Sequence, residues 1–229
     1  AQAARMHAME EFAYVASPDL RSPLRAIHNL AEWIAEDLDG KLEGETQEHL
    51  DLLRQRVLRM DRLLVDLLDY CRVGHEDVTL AEVDVQDMVS EVVDLLDAQG
   101  FTFDVGDMPR METAAGPLQR VFLNLITNAV KHHDTGAGRI HVGCADPEAD
   151  VLTFWVEDDG PGIPADARGG VFKLFKTLKG KDNGSGMGLA LIQRIVEEGG
   201  WRIWIEDGNL GGVRFAFTWR RAAQERAAE

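Results

Sequence analysis

The chain has 229 residues and a formal net charge of -16 at neutral pH. So acidic a balance argues against nonspecific binding to nucleic acid or to anionic lipid, because both are polyanions. No apolar run approaches the roughly 20 residues that span a bilayer, and no cleavable signal peptide opens the chain. The two cysteines lie far apart without metal-ligand spacing, which fits reduced thiols in a cytoplasmic setting.

The first third of the chain predicts a helical hairpin. Apolar residues recur every three or four positions from about Met6 to Leu38 and again from Thr46 to Arg72, which places them on one stripe of each helix. A hairpin alone leaves apolar surface exposed, so we expect two copies to pair as a four-helix bundle in a homodimer. The chain starts directly in helix-like sequence, which predicts a fragment of a longer protein, with a sensor or a membrane region as the candidates for the missing part.

The remaining part alternates short strands and helices. We expect a hairpin domain at 1–75, an α/β domain at 76–222 and a tail at 223–229, since glycine and polar residues interrupt the helical pattern near Val73 to Leu80. Strands and helices in this order predict a two-layer α/β sandwich, so the whole chain is of the α+β class. The predicted helices are Val85–Leu96, Pro117–His132 and Met187–Glu198, and the predicted strands are Phe101–Val105, Ile140–Cys144, Val151–Glu157, Trp201–Glu206 and Gly212–Trp219.

Three segments of this part have residues suited to binding a nucleotide. In the first, Asn124, Asn128 and Lys131 step by four and three residues and share one face of a predicted helix. Amide oxygens ligate Mg²⁺ and an ammonium group meets phosphate, so this face is suited to a metal–phosphate group. An ordinary solvated helix face remains the alternative for this segment alone.

The second segment, residues 158–164, reads Asp-Asp-Gly-Pro-Gly-Ile-Pro and follows an apolar strand. A carboxylate at a strand end can accept a hydrogen bond from an adenine amino group. Glycines let the backbone approach a flat base without a clash at Cβ. The alternative is a tight turn whose acids face solvent.

The third segment, residues 184–189, reads Gly-Ser-Gly-Met-Gly-Leu and opens a predicted helix. Clustered glycines before a helix free backbone N–H groups to hold phosphate oxygens, although a flexible loop is the alternative. The segment is no Rossmann fingerprint, since no βαβ unit starts here, and no Walker loop, since no Gly-Lys-Ser or Gly-Lys-Thr follows. The stretch before it contains four lysines, Lys173, Lys176, Lys179 and Lys181. In so acidic a chain they suggest a local cationic lid, and a solvated basic loop is the alternative.

The three segments resemble the N, G1 and G2 boxes of the histidine-kinase catalytic domain, which belongs to the wider Bergerat-fold ATPase group. Residues 172–175, Phe-Lys-Leu-Phe, resemble the F box between them. The resemblance covers most of residues 80–219 and implies binding of ATP with Mg²⁺. By it, Asn128 and Asn124 ligate Mg²⁺, Lys131 contacts phosphate and His132 lies near the nucleotide. The residues that it assigns to the adenine pocket and to the phosphate side are Asp158, Gly160, Gly162, Ile163, Lys176, Gly184, Ser185, Gly186, Met187, Gly188 and Leu189.

Residues 17–24, Ser-Pro-Asp-Leu-Arg-Ser-Pro-Leu, resemble the H box of the dimerisation and phosphoacceptor domain. The family pattern is His, then Asp or Glu, any residue, Arg or Lys, Ser or Thr, and Pro. Every element is present except the histidine, whose position holds Pro18. Proline has no nucleophilic side chain, and in a helix interior it costs about 3 kcal/mol, so we also expect a kink. The catalytic residues implied around the lost acceptor are Asp19, Arg21, Ser22 and Asn124.

The resemblance implies a two-component sensor histidine kinase. Such an enzyme phosphorylates its own histidine from ATP and passes the phosphoryl group to an aspartate of a response-regulator receiver domain. We expect Pro18, engineered or natural, to block the first transfer. His28 and the other histidines outside the nucleotide helix lack the surrounding motif, and we expect ordinary surface residues.

Two other functions remain as alternatives. One is a noncatalytic scaffold that docks a receiver domain or a partner kinase. The other is a hydrolytic ATPase of the chaperone or mismatch-repair type. Asn124 stands where those hydrolytic relatives have a glutamate that activates water. An amide cannot act as a general base near neutral pH, which argues against the hydrolytic alternative.

Overall fold

The structure is a computed structural model that describes residues 21–38, 41–42, 44–74, 79–146, 148–176 and 185–222. It divides the chain into two compact units, Ala1–Val73 with Lys173–Leu191, and Gly74–Phe172 with Ile192–Glu229. None of the helices within the described segments is long and apolar enough to cross a membrane. The predictions for Pro18, Asp19, Gly184 and the tail at 223–229 lie outside the described residues.

The first unit contains the predicted helical hairpin. Helix α1 covers residues 21–37 of the described chain, and α2 covers Glu45–Arg72, one residue longer than predicted. Arg54 of α2 donates from Nε and Nη2 to the two carboxylate oxygens of Glu32 in α1, both at 2.7 Å. This two-pronged bond sets which turns of the helices face each other. The buried apolar residues of the two helices are Ala31, Val57, Leu64, Leu68 and Cys71.

A second apolar stripe of the hairpin is exposed, as the periodicity predicts. Ile27, Leu30 and Ile34 step by three and four residues along α1, and each exposes 45 % to 53 % of its surface. Leu53 and Met60 of α2 are exposed to a similar extent. The hairpin of a single chain therefore leaves much of its apolar surface uncovered.

His28 differs from the expectation of an ordinary surface histidine. It is half-buried on α1. Its Nδ1 atom is enclosed and has no hydrogen-bond partner within the described segments. The reason is its place on the helix, because position 28 lies in the same row as half-buried Leu24 and buried Ala31.

Every strand and helix predicted after residue 80 occurs, with ends displaced by at most two residues. Two strands and a short helix are present in addition. In chain order the elements are β1 Leu80–Asp84, α3 Val85–Leu96, β2 Phe101–Val105, β3 Arg110–Ala114, α4 Ala115–His132, β4 Gly138–Ala145, β5 Val151–Asp158, α5 Ala165–Arg168, α6 Gly188–Glu198, β6 Ile203–Asp207 and β7 Val213–Arg220.

Five strands form a mixed sheet in the order β2-β4-β5-β7-β6. Strand β2 runs parallel to β4, and the other neighbouring strands are antiparallel. Helices α3 and α4 pack together, and α4 packs against β4 and β5. On β5, Leu152, Phe154 and Val156 are buried, in alternation with partly exposed Thr153 and Trp155. This is the predicted arrangement of a helical layer on one face of a sheet.

The extra strands β1 and β3 form a separate two-stranded antiparallel sheet, with Val83 opposite Met111. Each has only five residues, and charged side chains alternate with apolar ones along both. No turn joins them, since α3 and β2 intervene in the chain. Their pairing is long-range, which is why the local pattern did not reveal it.

An aromatic cluster joins the helical layer to the sheet. Phe122 of α4 is fully buried. Its ring meets Phe154 of β5 and Phe217 of β7 edge to face, with centroids 5.4 and 5.5 Å apart. Trp219 of β7 donates from Nε1 to Thr113 Oγ1 of β3 at 2.8 Å, which ties the large sheet to the small one.

Replacing Phe122 by alanine removes the ring that three elements share. We expect the free energy of unfolding of this unit to fall by about 3–5 kcal/mol in urea titrations followed by tryptophan fluorescence. Leu95→Ala is the matched control, because Leu95 on α3 is 76 % exposed, and it should change stability by less than about 1 kcal/mol. A loss below that limit for Phe122→Ala would contradict this role of the cluster.

Candidate functional site

The polar face of α4 is built as the sequence predicts. Leu125, Ile126 and Ala129 are buried on the apolar side of the helix. Asn124 is half-buried, and its Nδ2 donates to Arg120 O one turn earlier at 2.9 Å. That bond occupies the amide nitrogen and leaves Oδ1 as the group that can ligate a cation.

Asn128 has an unusual environment one turn further along the same helix. Its Nδ2 atom is buried, and no hydrogen bond to Asn128 side-chain atoms occurs within the described part of the chain. A buried amide without a protein partner is costly unless a ligand or water satisfies it. Lys131, which follows on this face, is exposed. The face thus offers two carboxamides and one ammonium group to a ligand.

The amide oxygens of Asn124 and Asn128 suit Mg²⁺ better than a metal ion whose ligands must all come from the protein. Mg²⁺ is bound by few protein oxygens and keeps waters and phosphate oxygens as its other ligands. The described residues contain no group of three or more His, Cys, Asp or Glu side chains that could hold a metal ion. Two amide oxygens beside an exposed lysine are therefore consistent with a metal that arrives together with a nucleotide.

Asp158 ends β5 and is the most enclosed acid of the G1 segment, with 7 % of its surface exposed. Its Oδ1 accepts hydrogen bonds from the backbone N–H groups of Gly160 at 3.0 Å and Val213 at 3.4 Å. No hydrogen bond from the described residues reaches Oδ2. Burial raises the pKa of Asp158, and the two backbone donors oppose this only in part. Oδ2 is thus an oriented acceptor that no described group of the protein satisfies.

Two glycines make this arrangement possible. A Cβ atom on Gly212 would lie 2.3 Å from Asp158 Oδ1 and 2.5 Å from Asp158 O, so no other residue fits at the start of β7. Gly162 has a φ of 70°, a left-handed conformation that favours glycine. Sequence reasoning identified Gly162 and missed Gly212. The Gly211-Gly212 pair, at the beginning of the predicted strand Gly212–Trp219, was the available signal.

Ile163, which the resemblance assigns to the pocket, is half-buried, and its carbonyl oxygen accepts a hydrogen bond from Arg168 Nε at 2.9 Å. Arg168 of α5 also pairs with Asp207 at the end of β6. The far end of the G1 segment is therefore tied to the sheet by one arginine that the sequence analysis did not single out.

The end of α4 holds a second residue that sequence reasoning missed. His132, which the resemblance assigns, is exposed. The next residue, His133, has a side chain only 5 % exposed, and its Nε2 lies 3.1 Å from Asp159 Oδ1. Asp159 also accepts from the backbone N–H of Arg139 at 2.7 Å, and that bond, with the one to His133, holds the pKa of Asp159 below its usual value.

The described part of the G2 segment belongs to the other compact unit. Gly186 has a φ of 71°, and a Cβ there would lie 2.9 Å from the backbone carbon of Phe175. Ser185 Oγ accepts from Met187 N at 3.2 Å, Met187 is fully buried, and α6 begins at Gly188. This segment has the close backbone approach that glycine permits.

Lys176 and Leu189 flank the described G2 residues, Lys176 exposed and Leu189 half-buried. In the hairpin, Arg21 and Ser22 are the H-box residues within the described range. Ser22 is exposed, and Arg21 Nε lies 3.8 Å from Asp61 Oδ1, a distance too long for a hydrogen bond.

Asp158 and Asp159 should respond to amidation with opposite signs. Because the folded-state pKa of Asp158 is raised, its ionised form weakens folding, and this penalty disappears as the pH falls towards the ordinary aspartate pKa of about 3.9. We expect Asp158→Asn to raise the free energy of unfolding at pH 8, with a smaller gain at pH 5.

Asp159→Asn is the matched control, because the folded-state pKa of Asp159 is lowered and its charge stabilises the fold above the ordinary pKa. We expect it to lower the free energy of unfolding at pH 8. Urea titrations at pH 8, 6.5 and 5 measure both. Changes of the same sign at pH 8 would show that the two acids do not differ in this way.

Two family models match the chain. The His Kinase A (phospho-acceptor) domain matches residues 8–76, which include the hairpin. The histidine kinase-, DNA gyrase B- and HSP90-like ATPase matches residues 113–223, which include the N, G1 and G2 segments. The two matches do not overlap, and together they cover most of the chain.

Curated relatives agree with these matches. Over 218 residues the chain is 32% identical to cyanobacterial phytochrome B of Nostoc sp., covering 92% of this chain and 29% of that protein. It is 34% identical over 217 residues to the methanogenesis regulatory histidine kinase FilI of Methanothrix harundinacea, covering 92% of this chain and 24% of that protein. The chain thus spans less than a third of the length of these relatives.

Solved structures give the same result. The full-length ShkA structure in complex with AMPPNP is similar with a TM-score of 0.71 and 26% identity, over 93% of this chain and 47% of that chain. The catalytic domain of histidine kinase ThkA is similar with a TM-score of 0.54 and 26% identity, over 62% of this chain and 96% of that chain. The chain therefore belongs to the sensor histidine kinase family and has the two regions of its catalytic core, a helical region followed by an α/β ATPase region.

Proposed function

We propose that this chain is a two-component sensor histidine kinase core that binds Mg-ATP and that Pro18 blocks its autophosphorylation. The observation that carries the ATP-binding part is the buried carboxylate of Asp158. Its Oδ1 is held by two backbone N–H groups, and its Oδ2 has no partner within the described segments. The adenine amino group is a donor of the right kind for that oxygen.

The polar face of α4 supports binding of the phosphates in this proposal. Asn124 and Asn128 would hold Mg²⁺ through their amide oxygens, and Lys131 would meet a phosphate. Bound Mg²⁺ offsets the charge of the phosphate oxygens. Residues 184–189 would add backbone N–H groups, an assignment supported by the left-handed backbone of Gly186.

The proposal favours a protein acceptor over water. Asn124 has its amide nitrogen bonded to Arg120 O, and neither end of a carboxamide can take a proton from water near neutral pH. Hydrolysis of ATP should therefore be slow. The γ-phosphoryl group then goes to a nucleophile that the protein itself supplies.

In a chain with the family's histidine at position 18, that histidine would be the nucleophile. Its ring nitrogen forms a bond to the γ-phosphorus, the bond to the bridging oxygen of ADP breaks, and the ring proton passes to Asp19. Proline at this position provides no lone pair for the attack. Asp19, Arg21 and Ser22 of the H box remain, so the defect is confined to the acceptor.

The acceptor position gives a direct test. We expect the chain to bind AMPPNP with Mg²⁺ and to gain no ³²P from [γ-³²P]ATP. Pro18→His should restore an acid-labile label at least about a hundredfold above background, since it restores the attacking group that the reaction requires. Pro18→Ala is the matched control. It removes the helix-breaking ring without adding a nucleophile, and it should stay unlabelled. Efficient labelling of the chain as it stands would refute the proposed block.

The exposed apolar stripe supports a homodimer. Ile27, Leu30 and Ile34 lie on one face of α1, and burying such residues is worth about 1.5–3 kcal/mol each. We expect Leu30→Glu with Ile34→Glu to convert a dimer into a monomer in sedimentation equilibrium. Leu58→Glu is the control, because Leu58 is 40 % exposed on α2 but lies well away from the helix face of Leu53 and Met60. A dimer that tolerates the double substitution would place the interface elsewhere.

Pro18 also favours a second candidate, a noncatalytic scaffold that docks a response-regulator receiver domain. A scaffold needs the hairpin surface and has no use for an acceptor histidine. Pull-down of receiver domains, with and without AMPPNP, tests this function. The scaffold is the better description if receivers bind the chain as it stands and Pro18→His adds no phosphotransfer to them.

A further inference from the structure

The ring of His133 occupies a closed position at the junction of α4 and the G1 segment. Phe101 meets the ring edge-on, with centroids 5.4 Å apart. A Cβ on Gly138 would lie 2.4 Å from Nε2, and a Cβ on Gly160 would lie 3.2 Å from Cδ2. The glycines of the neighbouring backbone therefore leave room for the imidazole, and the ring is enclosed by protein instead of lying in solvent at the helix end.

Both ring nitrogens face oxygen atoms that can accept. Nε2 lies 3.1 Å from Asp159 Oδ1. Nδ1 lies 3.0 Å from Thr135 Oγ1, and that hydroxyl donates its own proton to Ala137 O at 2.6 Å, so it can only accept from the ring. Thr135 N also lies 3.4 Å from Nδ1, and its N–H can donate to Nδ1 only when that nitrogen has no proton. The two shorter contacts are those that a ring with a proton on each nitrogen would make.

The charged groups around the ring are mostly acidic. Asp134 Oδ1 lies 3.6 Å from Nδ1, in addition to the Asp159 contact on the other side. Arg139 is the one cation that faces this group within the described chain, through Nε at 3.4 Å from Asp159 Oδ2. Asp158, the adjacent residue of the G1 segment, completes the set, and the charge of His133 lowers the pKa of Asp158 against the effect of burial.

We propose that His133 is a positioning residue for nucleotide recognition, which in its protonated form clamps Asp159 and so holds Asp158 aimed at the base. The inference rests on the proposed function, because it assigns adenine to Asp158. His133 itself touches no reacting atom. It acts through Asp159, whose backbone continues directly from Asp158 and which is tied to β4 by the N–H of Arg139.

The geometry makes the effect dependent on pH in a specific direction. A protonated ring makes a charge-assisted bond to Asp159, which is stronger than the bond of a neutral ring. Nucleotide affinity should therefore fall as the pH rises through the range in which histidines lose their proton. At low pH, protonation of Asp158 removes the acceptor for the base, so affinity should fall there as well.

The test measures the dissociation constant of AMPPNP with Mg²⁺ from pH 5 to pH 8.5 by isothermal titration calorimetry on the full chain. His133→Gln keeps a polar side chain that cannot carry charge. His141→Gln is the matched control, because His141 Nδ1 also lies 3.1 Å from a carboxylate oxygen, Oε1 of Glu157, on a different part of the sheet. Titration of the nucleotide itself is common to all variants and cancels in the comparison.

We expect His133→Gln to weaken binding about fivefold or more at pH 6.5 and clearly less at pH 8.5, which removes the alkaline limb of the profile. His141→Gln should stay within about twofold of the unmodified chain at every pH. Titrations in two buffers of different ionisation enthalpy should show proton uptake on binding near pH 7, and His133→Gln should abolish it. Asp159→Asn combined with His133→Gln should lose no more than either alone.

A His133→Gln chain that binds like the unmodified one would overturn the inference. An equal loss at every pH, without change in proton uptake, would do so too, since it would show a purely structural residue. If His133→Gln fails to fold by circular dichroism, Asp159→Asn carries the same test with the histidine in place. Failure of the unmodified chain to bind any adenine nucleotide would instead refute the proposed function.

Discussion

The site depends on the contact between the end of β5 and the start of β7. Asp158 O accepts from Gly212 N at 3.1 Å, and Asp158 Oδ1 accepts from Val213 N. Because Gly212 has no side chain, the two strands approach closely enough for the backbone of β7 to hold a carboxylate on β5. Without this contact the acid would have neither its enclosure nor its direction. A buried carboxylate with one oxygen anchored by backbone is a rigid acceptor, and rigidity is what makes recognition of a base selective.

The same strand shows how one sheet serves both stability and binding. Leu152, Phe154 and Val156 face α4, and Asp158 continues their row at the strand end. The proposed recognition group, Asp158, is thus an extension of the hydrophobic core, and the aromatic packing around Phe154 supports it. Strand β5 also presents Glu157 to the opposite face.

Glu157 is as buried as its neighbour, but its pKa is shifted in the opposite direction. Burial by itself would raise the pKa of Glu157, yet hydrogen bonds from His141, Arg214 and the backbone of Asn209 hold it below the usual value. Its charge is fully paired and structural. Asp158 lacks such an arginine and keeps an oxygen free of protein partners in the described chain. The pKa values of two adjacent acids therefore differ because of their partners, not their burial.

Local sequence determined a large part of this protein. Periodicity and apolar runs predicted both helices of the hairpin and all five strands of the large sheet. The composition of three segments indicated nucleotide binding, and their resemblance to the N, G1 and G2 boxes implied ATP. These are properties of neighbouring residues: the period of apolar side chains and the freedom of glycine. The proposal that Pro18 blocks phosphorylation also comes from the sequence, because comparing a motif with one substituted position needs no coordinates.

Only the tertiary structure decided which groups meet across long stretches of chain. The pairing of β1 with β3, the crowding of Gly212 against Asp158 and the enclosure of His133 by Asp159 and Phe101 all join residues from separate elements. His132 and His133 are neighbours of the same type, and no periodicity distinguishes the exposed ring from the buried one. That difference arises because α4 ends at His132, and the direction of the next side chain is set by the strands it meets.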